Sequence, residues 1–296
     1  MTTPNTNYER VNALTHISDQ IYPLLEQKVL GEIRARRIMR LGITTVAVAL
    51  RSGSTRTRAG ELFDIDLSHS LRHVDYGDYK PYRSTDRPPR RTARLLQRIV
   101  APQRDLNHLA NRYADIERGT LLANLTSEPD SIHAIHLAAL ATPYARAHYP
   151  DLQPGKVALY SLVHDLPEAY VGDTPTFNIT DDELETKKQA EAHALKALHR
   201  DFGNKWPGLI DALDDYESLA DDEAAFVKTM DKNDPGYTHF RNSAHALKTL
   251  HHTTSVEAFY ERANINTLRT LGYASRFALV LKDKDVLNER IATLLS

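Results

Sequence analysis

The 296-residue sequence contains no cysteine. This absence excludes disulfide bonds, thiolate ligands to a metal ion and a cysteine nucleophile, so any metal must be held by histidine and carboxylate groups. The sequence also lacks a long hydrophobic run, since the best candidate, residues 43–50, falls far short of the ~18 residues of a membrane span. The N-terminus has neither the basic stretch nor the apolar core of a secretory signal. We therefore expect a cytoplasmic protein without a membrane partner.

Acidic residues are scarce in the first part of the chain, and basic residues are scarce in the second. Residues 1–115 hold 19 Lys and Arg against 12 Asp and Glu, a net charge of +7. The remaining residues hold 18 against 27, a net charge of −9, which leaves the whole chain at −2. With 41% hydrophobic and 26% charged residues, the composition is typical of a soluble globular protein. We expect a basic N-terminal extension over 1–115 and a separate domain over 116–296.

The basic extension combines mixed local patterns. Residues 13–40 are typical of one or two amphipathic helices, residues 42–58 alternate in a strand-like manner, and residues 76–91 form a loop rich in proline, tyrosine and arginine. Arginines and tyrosines in such a run can bind nucleic acid. A solvated linker or an oligomer contact is the more usual role of a charge run, and closure over an active site is a third alternative. The sequence leaves these alternatives open.

The densest cluster of chemical groups is the segment 162–176, LVHDLPEAYVGDTPT. His164 and Asp165 end an apolar run and offer one imidazole nitrogen and one carboxylate oxygen to the same divalent cation. On a helix, Glu168 shares a face with His164, where it can take a proton from a metal-bound water. Solvated acids at the start of a helix are the alternative interpretation, which these three residues alone leave open.

Two other segments can supply further ligands to the same ion. Residues 131–149 form a helix-like run, kinked or broken near Pro143, with His133 and His136 three apart on one apolar face. Residues 221–231 begin with acids suited to a helix N-terminus and bring Asp231 onto the apolar side. Each of these residues alone is more often an ordinary polar residue. The order His, His-Asp, Asp on separate helices favours a metal site.

These segments resemble the HD-domain metal-dependent phosphohydrolases, and within them the bacterial 5'-deoxynucleotidases, over residues 114–259. Three runs carry the resemblance. They are Arg118, Leu121, Leu122, Asn124, Glu128 and His133; His164, Asp165, Glu168, Gly172, Asp173, Pro175 and Thr176; and Asp222, Glu223, Val227, Lys228 and Asp231. The resemblance implies a mainly α fold, an HD-domain helical bundle, with His133, His164, Asp165 and Asp231 as metal ligands. The small residues that follow His133 match the family's pattern, so His136 is assigned a supporting or core role.

The resemblance also implies a reaction, the removal of phosphate from deoxynucleoside 5'-monophosphates with one divalent ion of Mn, Co, Mg, Zn or Fe. Glu168 orients or deprotonates the attacking water, and Arg118 clamps the phosphate oxygens through its planar guanidinium. Asp173, the second catalytic candidate, meets the sugar hydroxyls and disfavours a ribose 2'-hydroxyl. Thr176 belongs to the same substrate site. We expect a nucleotide as partner and a homodimer as assembly.

Other functions stay open beside this one. A deoxynucleoside triphosphate triphosphohydrolase of the same fold needs more basic residues for the outer phosphates. A nucleotide-binding or nucleic-acid-binding module with an inactive HD site has no need of Glu168, and a (p)ppGpp hydrolase fits the Gly-Asp-x-Pro-Thr run less well. The sequence departs from the deoxynucleotidase pattern at Gly119, where tryptophan is usual, at Ile132, where an acid is common, and at Pro167. These departures concern the substrate more than the chemistry.

Overall fold

A computed structural model of the protein describes residues 105–296. The segments 13–40, 42–58 and 76–91, with the interpretations given to them, lie outside the described residues. The described part of the chain is mainly α, as predicted for an HD-domain bundle. Within this part, none of the helices combines the length and the apolar character needed to cross a membrane.

The described elements are one short hairpin and a series of helices. In chain order they are α1 over 105–114, β1 Glu117–Leu121, β2 Ser127–Pro129, α2 Asp130–His148, α3 Pro154–Val163, α4 Glu168–Val171, α5 Asp181–Phe202, α6 Pro207–Glu217, α7 Asp222–Asp231, α8 Asp234–Arg241, α9 His245–Thr249, α10 Val256–Ala274 and α11 Ala278–Ala292. The two strands pair antiparallel, with Glu117 opposite Pro129 and Leu121 opposite Ser127. This hairpin occupies the region between Arg118 and His133 that the resemblance describes as a short loop.

Residues on nearly all sides of helix α2 are buried, which shows that this helix lies at the centre of the bundle. A helix buried in this way is stable only when other elements cover it on every side. Helices α3 and α7 pack against α2, and α3 also contacts α6. The helix runs through Pro143 without a break, so of the two alternatives predicted there, a kink or a break, the break is wrong. Pro143 removes one helical hydrogen bond, and the buried side chains of Leu140 and Tyr144 on either side of it offset that loss.

Capping groups at the helix starts match the sequence signals. Asp221 accepts a hydrogen bond from the backbone N–H of Ala224 at 2.9 Å, which begins α7 as the acidic residues there predict. Thr180 and Glu183 form a reciprocal capping box at the start of α5. Only three residues of α5 are buried, so this charged helix lies along the surface of the bundle. The caps fix the starts of two helices that contribute to the site, since α7 carries Asp231 and α5 carries Lys187.

The hairpin is anchored at the edge of the core. Its first strand packs against α8 and α9, and the side-chain amide of Asn242 donates to the carbonyl of Leu121 at 2.6 Å. Core side chains on both sides of the hairpin are fully buried, among them Tyr113 before it and Ile135 after it. Full burial of a large apolar side chain contributes about 1.5–3 kcal/mol. These contacts fix β1, and with it the backbone of Arg118, against the helices.

Candidate active site

Four side chains predicted as metal ligands converge between α2, α3 and α7. The Nε2 atoms of His133 and His164 are 3.3 Å apart, and His164 Nε2 is 2.9 Å from Asp165 Oδ2. Asp231 Oδ1 lies 3.1 Å from His133 Nε2 and 3.6 Å from His164 Nε2. With metal–ligand bonds of about 2.1 Å, the ligands of one tetrahedral or octahedral ion are about 3.0–3.4 Å apart. The two nitrogens and two oxygens therefore have the composition and the spacing of a donor set for one divalent cation.

The other ring nitrogen of each histidine is held by the protein. His164 Nδ1 donates to the carbonyl oxygen of Ser161 at 3.0 Å, in the last turn of α3. His133 Nδ1 lies 2.8 Å from Asp234 Oδ2. A hydrogen bond on Nδ1 fixes the tautomer and the ring orientation, and it leaves the Nε2 lone pair free for a metal. Both rings are therefore already oriented as metal ligands.

The negative charge of the buried carboxylates in this cluster is balanced by protons on the histidines. Burial opposes protonation of His164, but Asp165 and Asp231 outweigh it and raise the pKa of the imidazole to about 9. Burial also opposes ionisation of Asp165, but His164 and Arg118 hold the pKa of that carboxyl well below its usual range. The pKa of Asp231 is likewise held low, because Lys232 and the two histidines outweigh its burial. Imidazolium protons balance these carboxylates, and a divalent cation supplies positive charge in their place.

A turn connects His164 to Glu168. Helix α3 ends at Val163, and α4 begins at Glu168 directly after Pro167. Pro167 has no N–H with which to continue the helical hydrogen bonds, and the carbonyl of Val163 accepts from the backbone N–H of Leu166 instead. The prediction that His164 and Glu168 share a face of one helix is therefore wrong. The turn nevertheless brings the two side chains to the same cluster.

Glu168 lies beside the metal-type donor set and is only 4% exposed. Carboxylate oxygens of Glu168, Asp165 and Asp130 all lie within 4.8 Å of one another. Oε1 of Glu168 is 3.3 Å from Lys187 Nζ, whereas Oε2 is buried without a hydrogen-bond partner. Burial and then the nearby carboxylates raise the pKa of Glu168 to about 11. Such a carboxylate is a strong proton acceptor once a cation offsets its acidic neighbours.

Arg118 approaches the cluster from β1. Its Nη1 atom donates to Asp165 Oδ2 at 2.9 Å and to Asp130 Oδ1 at 3.2 Å, and its Nε atom is 4.0 Å from Glu128 Oε2. The Nε–H is buried and has no hydrogen-bond partner. Asp165 and Asp130 at Nη1, and Glu128 near Nε, hold the guanidinium in place. An oxyanion bound at the cluster therefore meets an oriented cation.

The cluster opens into a cleft of about 530 Å³, a size that suits a small organic ligand. Six of the predicted site residues line this cleft: Arg118, Asp165, Glu168, Asp173, Thr176 and Asp231. The two histidines lie beneath it, at 0% exposure for His133 and 3% for His164. Asp173 Oδ2 accepts from the backbone N–H of Gly119 at 3.0 Å, and Asp173 Oδ1 is 3.9 Å from Lys187 Nζ. All the residues predicted from the sequence therefore belong to one region of the molecule.

Sequence reasoning missed Asp234, which supports both histidines of α2. Its Oδ2 atom is 2.8 Å from His133 Nδ1, and its Oδ1 atom is 2.6 Å from His136 Nδ1. His136 is fully buried and outside the four-residue donor set, in agreement with a supporting role. A signal for Asp234 was present in the spacing, because Asp231 and Asp234 are three residues apart, as are His133 and His136.

Asp234→Asn is expected to weaken metal affinity about 10–100-fold, because an amide cannot accept hydrogen bonds from both imidazoles. The measurement is a competition titration of metal-stripped protein against a chelating dye. Asp222→Asn is the matched control, since Asp222 is an exposed carboxylate of α7 that pairs with Arg276. The control should bind metal as the wild type does. Wild-type affinity in Asp234→Asn would contradict the supporting role.

Comparisons with known proteins agree with this geometry. The sequence model of the HD domain family matches residues 110–271, more than half of the chain. The chain is 28% identical over 151 residues to a 5'-deoxynucleotidase of Pasteurella multocida, a match that covers 46% of this chain and 77% of the relative. It is also 28% identical over 170 residues to a 5'-deoxynucleotidase of Photobacterium profundum, with coverage of 52% and 87%.

Solved structures with a similar fold include a predicted metal-dependent phosphohydrolase from Magnetospirillum magnetotacticum MS-1. It has a TM-score of 0.51 and 21% sequence identity, and the match covers 69% of this chain and 95% of that one. The family match includes the hairpin, α2, the His-Asp turn and α7, which together carry the donor set. The chain therefore belongs to the HD domain family, the metal-dependent phosphohydrolases that its motifs resemble.

Proposed function

We propose that this phosphohydrolase removes orthophosphate from deoxynucleoside 5'-monophosphates. The observation that carries the proposal is the donor set of two imidazoles and two carboxylates, with Glu168 and Arg118 beside it, at a cleft of about 530 Å³. The names of the two relatives from Pasteurella multocida and Photobacterium profundum support the choice of substrate.

In this proposal His133, His164, Asp165 and Asp231 hold one divalent ion, of Mn, Co, Mg, Zn or Fe. Such an ion, when bound, neutralises phosphoryl oxygens and lowers the pKa of a coordinated water, to about 7 in favourable cases. The chain's own contribution is to present two Nε2 atoms and two carboxylate oxygens, with nitrogen–nitrogen and nitrogen–oxygen distances of 2.9–3.7 Å. Asp234 and the Ser161 carbonyl keep both imidazoles in the orientation that binding needs.

Glu168 accepts a proton from the attacking water in this scheme. A bond forms between the water oxygen and phosphorus, the bond from phosphorus to the 5'-oxygen breaks, and the leaving oxygen takes up a proton. The products are a deoxynucleoside and orthophosphate. Arg118 neutralises the phosphate oxygens, because its guanidinium already faces the donor set. Asp173 and Thr176 line the same cleft, and in this scheme Asp173 meets the sugar and disfavours a 2'-hydroxyl.

The test is product analysis by chromatography. Metal-stripped protein is incubated with deoxyribonucleoside and ribonucleoside mono- and triphosphates, each with Mn²⁺, Co²⁺, Mg²⁺ or Zn²⁺ added back. Nucleoside and orthophosphate released from monophosphates, with a preference for deoxy substrates, is the expected result. Absence of monophosphate turnover with every metal would overturn the proposal.

A second candidate function is the release of tripolyphosphate from deoxynucleoside triphosphates, and one observation favours it. Lys232 and Lys284 both line the cleft. Lys284 is only 9% exposed, and no described residue lies within hydrogen-bonding or ion-pair distance of its ammonium group. Burial and then the charge of Lys232 lower the pKa of Lys284 to about 8. Lys232 already pairs with Asp231 at 2.7 Å, whereas additional phosphates would give Lys284 an anionic partner.

Lys284→Met is expected to raise the stability of the substrate-free protein at neutral pH. The unfolded chain holds the Lys284 proton up to about pH 10.5, but the folded chain holds it only up to about pH 8. Below pH 8 this difference therefore lowers the free energy of unfolding by about 3 kcal/mol. The loss shrinks as the pH rises from 8 to 10.5. Denaturant unfolding at pH 7 and pH 10.5 measures the difference, and exposed Lys282→Met on the same helix is the control. Equal stability of Lys284→Met and wild type at pH 7 would contradict the expectation.

A further inference from the structure

Strand β1 connects the metal-type donor set to a second region of the cleft. The guanidinium of Arg118 contacts Asp165 at 2.9 Å. The next residue, Gly119, donates its N–H to Asp173 Oδ2 at 3.0 Å and accepts at its carbonyl from His251 Nε2 at 2.9 Å. Two successive residues of β1 therefore link a cation for the phosphate, the carboxylate proposed to meet the sugar, and a histidine.

Aromatic rings surround that histidine. The ring of Phe177 lies 5.3 Å from His251 and 6.2 Å from His239, and the two histidine rings are 5.8 Å apart. Phe259 stacks on Phe177 at 6.2 Å between ring centroids. All four rings line the cleft. Phe177 is half-buried, whereas the other three are buried, so Phe177 has the larger surface left to offer a ligand.

His239 differs from its neighbour His251 in its hydrogen bonding. His251 uses Nε2 for the Gly119 carbonyl. His239 is 4% exposed, its Nδ1 atom is buried without a partner, and no described residue bonds to either of its ring nitrogens. Burial and then His251 lower the pKa of His239 to about 3, so the ring is neutral and carries one donor and one acceptor. Unused hydrogen-bonding capacity at this depth is costly, and a polar ligand edge relieves that cost.

Gly119 lies directly against Pro175. A Cβ atom at this position would meet Pro175 Cγ at 2.4 Å and Pro175 Cβ at 2.7 Å. No side chain therefore fits at this point of the strand without displacing Pro175. Strand β1 therefore offers no ring of its own at this position, whereas Phe177, two residues after Pro175, lines the same cleft.

We propose that Phe177, His239 and His251 form a nucleobase subsite, in which the base packs against Phe177 and its polar edge bonds to His239. The assignment rests on the proposed nucleotide substrate. It adds that the enzyme recognises the base, so that a sugar phosphate without a base is a poor substrate. Stacking on an aromatic ring contributes to binding for every base, whereas the hydrogen bonds of His239 depend on which base is present.

The test compares two substrates that share the phosphate and the sugar. We expect kcat/KM of the wild type to be higher for deoxynucleoside 5'-monophosphates than for 2-deoxyribose 5-phosphate. His239→Phe retains a ring of similar shape but removes both nitrogens, and it should lower the ratio of the two kcat/KM values tenfold or more. His239→Gln, which restores a donor and an acceptor, should recover part of the ratio. Exposed His193→Phe on α5 is the matched control and should leave the ratio unchanged.

Two results would overturn the subsite: a wild type without preference for the base-containing substrate, or an unchanged ratio in His239→Phe. Absence of turnover with either substrate would instead count against the proposed function. In that case calorimetric titration of the wild type with deoxyadenosine, deoxyguanosine, deoxycytidine and thymidine decides about the subsite alone. Binding that is lost in His239→Phe supports it, and no binding to the wild type overturns it.

Discussion

Asp165→Ala is expected to lose both its metal and its phosphate release, with turnover at least about 10³-fold below wild type. The Oδ2 atom of Asp165 is 2.9 Å from His164 Nε2 and 3.7 Å from His133 Nε2, so its removal opens one side of the donor set. The same oxygen accepts from Arg118 at 2.9 Å. The substitution therefore removes a metal ligand and a partner that orients the phosphate-binding cation. Elemental analysis after metal reconstitution and a phosphate-release assay measure the two losses.

Asp214→Ala is the control for this substitution. Asp214 is an exposed carboxylate that pairs with His199 on the surface, and it does not line the cleft. Its loss should change neither metal content nor turnover, since an exposed ion pair contributes little to stability. Wild-type phosphate release by Asp165→Ala would refute the assignment of the site.

Glu168→Gln should keep the metal and lose about 10²–10⁴-fold in turnover, because an amide cannot accept the proton of the attacking water. The shape of the side chain is preserved, and Glu168 is outside the four-residue donor set. Glu191→Gln is a matched control, since both carboxylates contact Lys187, at 3.3 Å for Glu168 and 3.0 Å for Glu191. Loss of metal from Glu168→Gln would make Glu168 a ligand and would require another base.

The same substitution has a consequence for the stability of the metal-free protein. In the folded chain the pKa of Glu168 is raised from 4.5 to about 11, so folding at neutral pH requires this carboxyl to take up a proton. Wild type should therefore lose stability relative to Glu168→Gln as the pH rises above 4.5. The difference at pH 7 is on the order of 1–3 kcal/mol. Denaturant unfolding in the presence of a chelator, at pH 4.5 and pH 7, measures it.

The donor residues could be predicted from the sequence because their chemistry is local. An adjacent His164-Asp165 pair after an apolar run, and an acid at the end of an apolar helix, are patterns that one segment contains by itself. The helical class was implied by the resemblance of these segments to the HD-domain phosphohydrolases. The supporting role of Asp234 depends on contacts between α8 and α2, and its spacing of three residues from Asp231 has a meaning only once those contacts are known.

Two prolines affect the local structure differently. At Pro143, where a kink or a break was predicted, burial outweighed the signal for a break, because α2 is covered by other helices along its length. At Pro167 the same residue type did end the helical hydrogen bonds, since the chain turns there towards α4. The difference between the two prolines lies in their tertiary surroundings. The nucleobase subsite proposed from Phe177, His239 and His251 was similarly hidden, because its residues come from separate segments of the chain.

The separation of the donor residues along the chain has a further consequence. His133 is 31 residues from His164 and 98 residues from Asp231, yet their donor atoms meet within 3.3 Å. An ion bound to all of them closes two long loops, and the unfolded chain cannot offer the same set. In a protein without cysteine, such an ion acts as a reversible cross-link whose strength depends on the free metal concentration. The supply of metal in the cell would then govern the lifetime of the folded chain as well as its rate of catalysis.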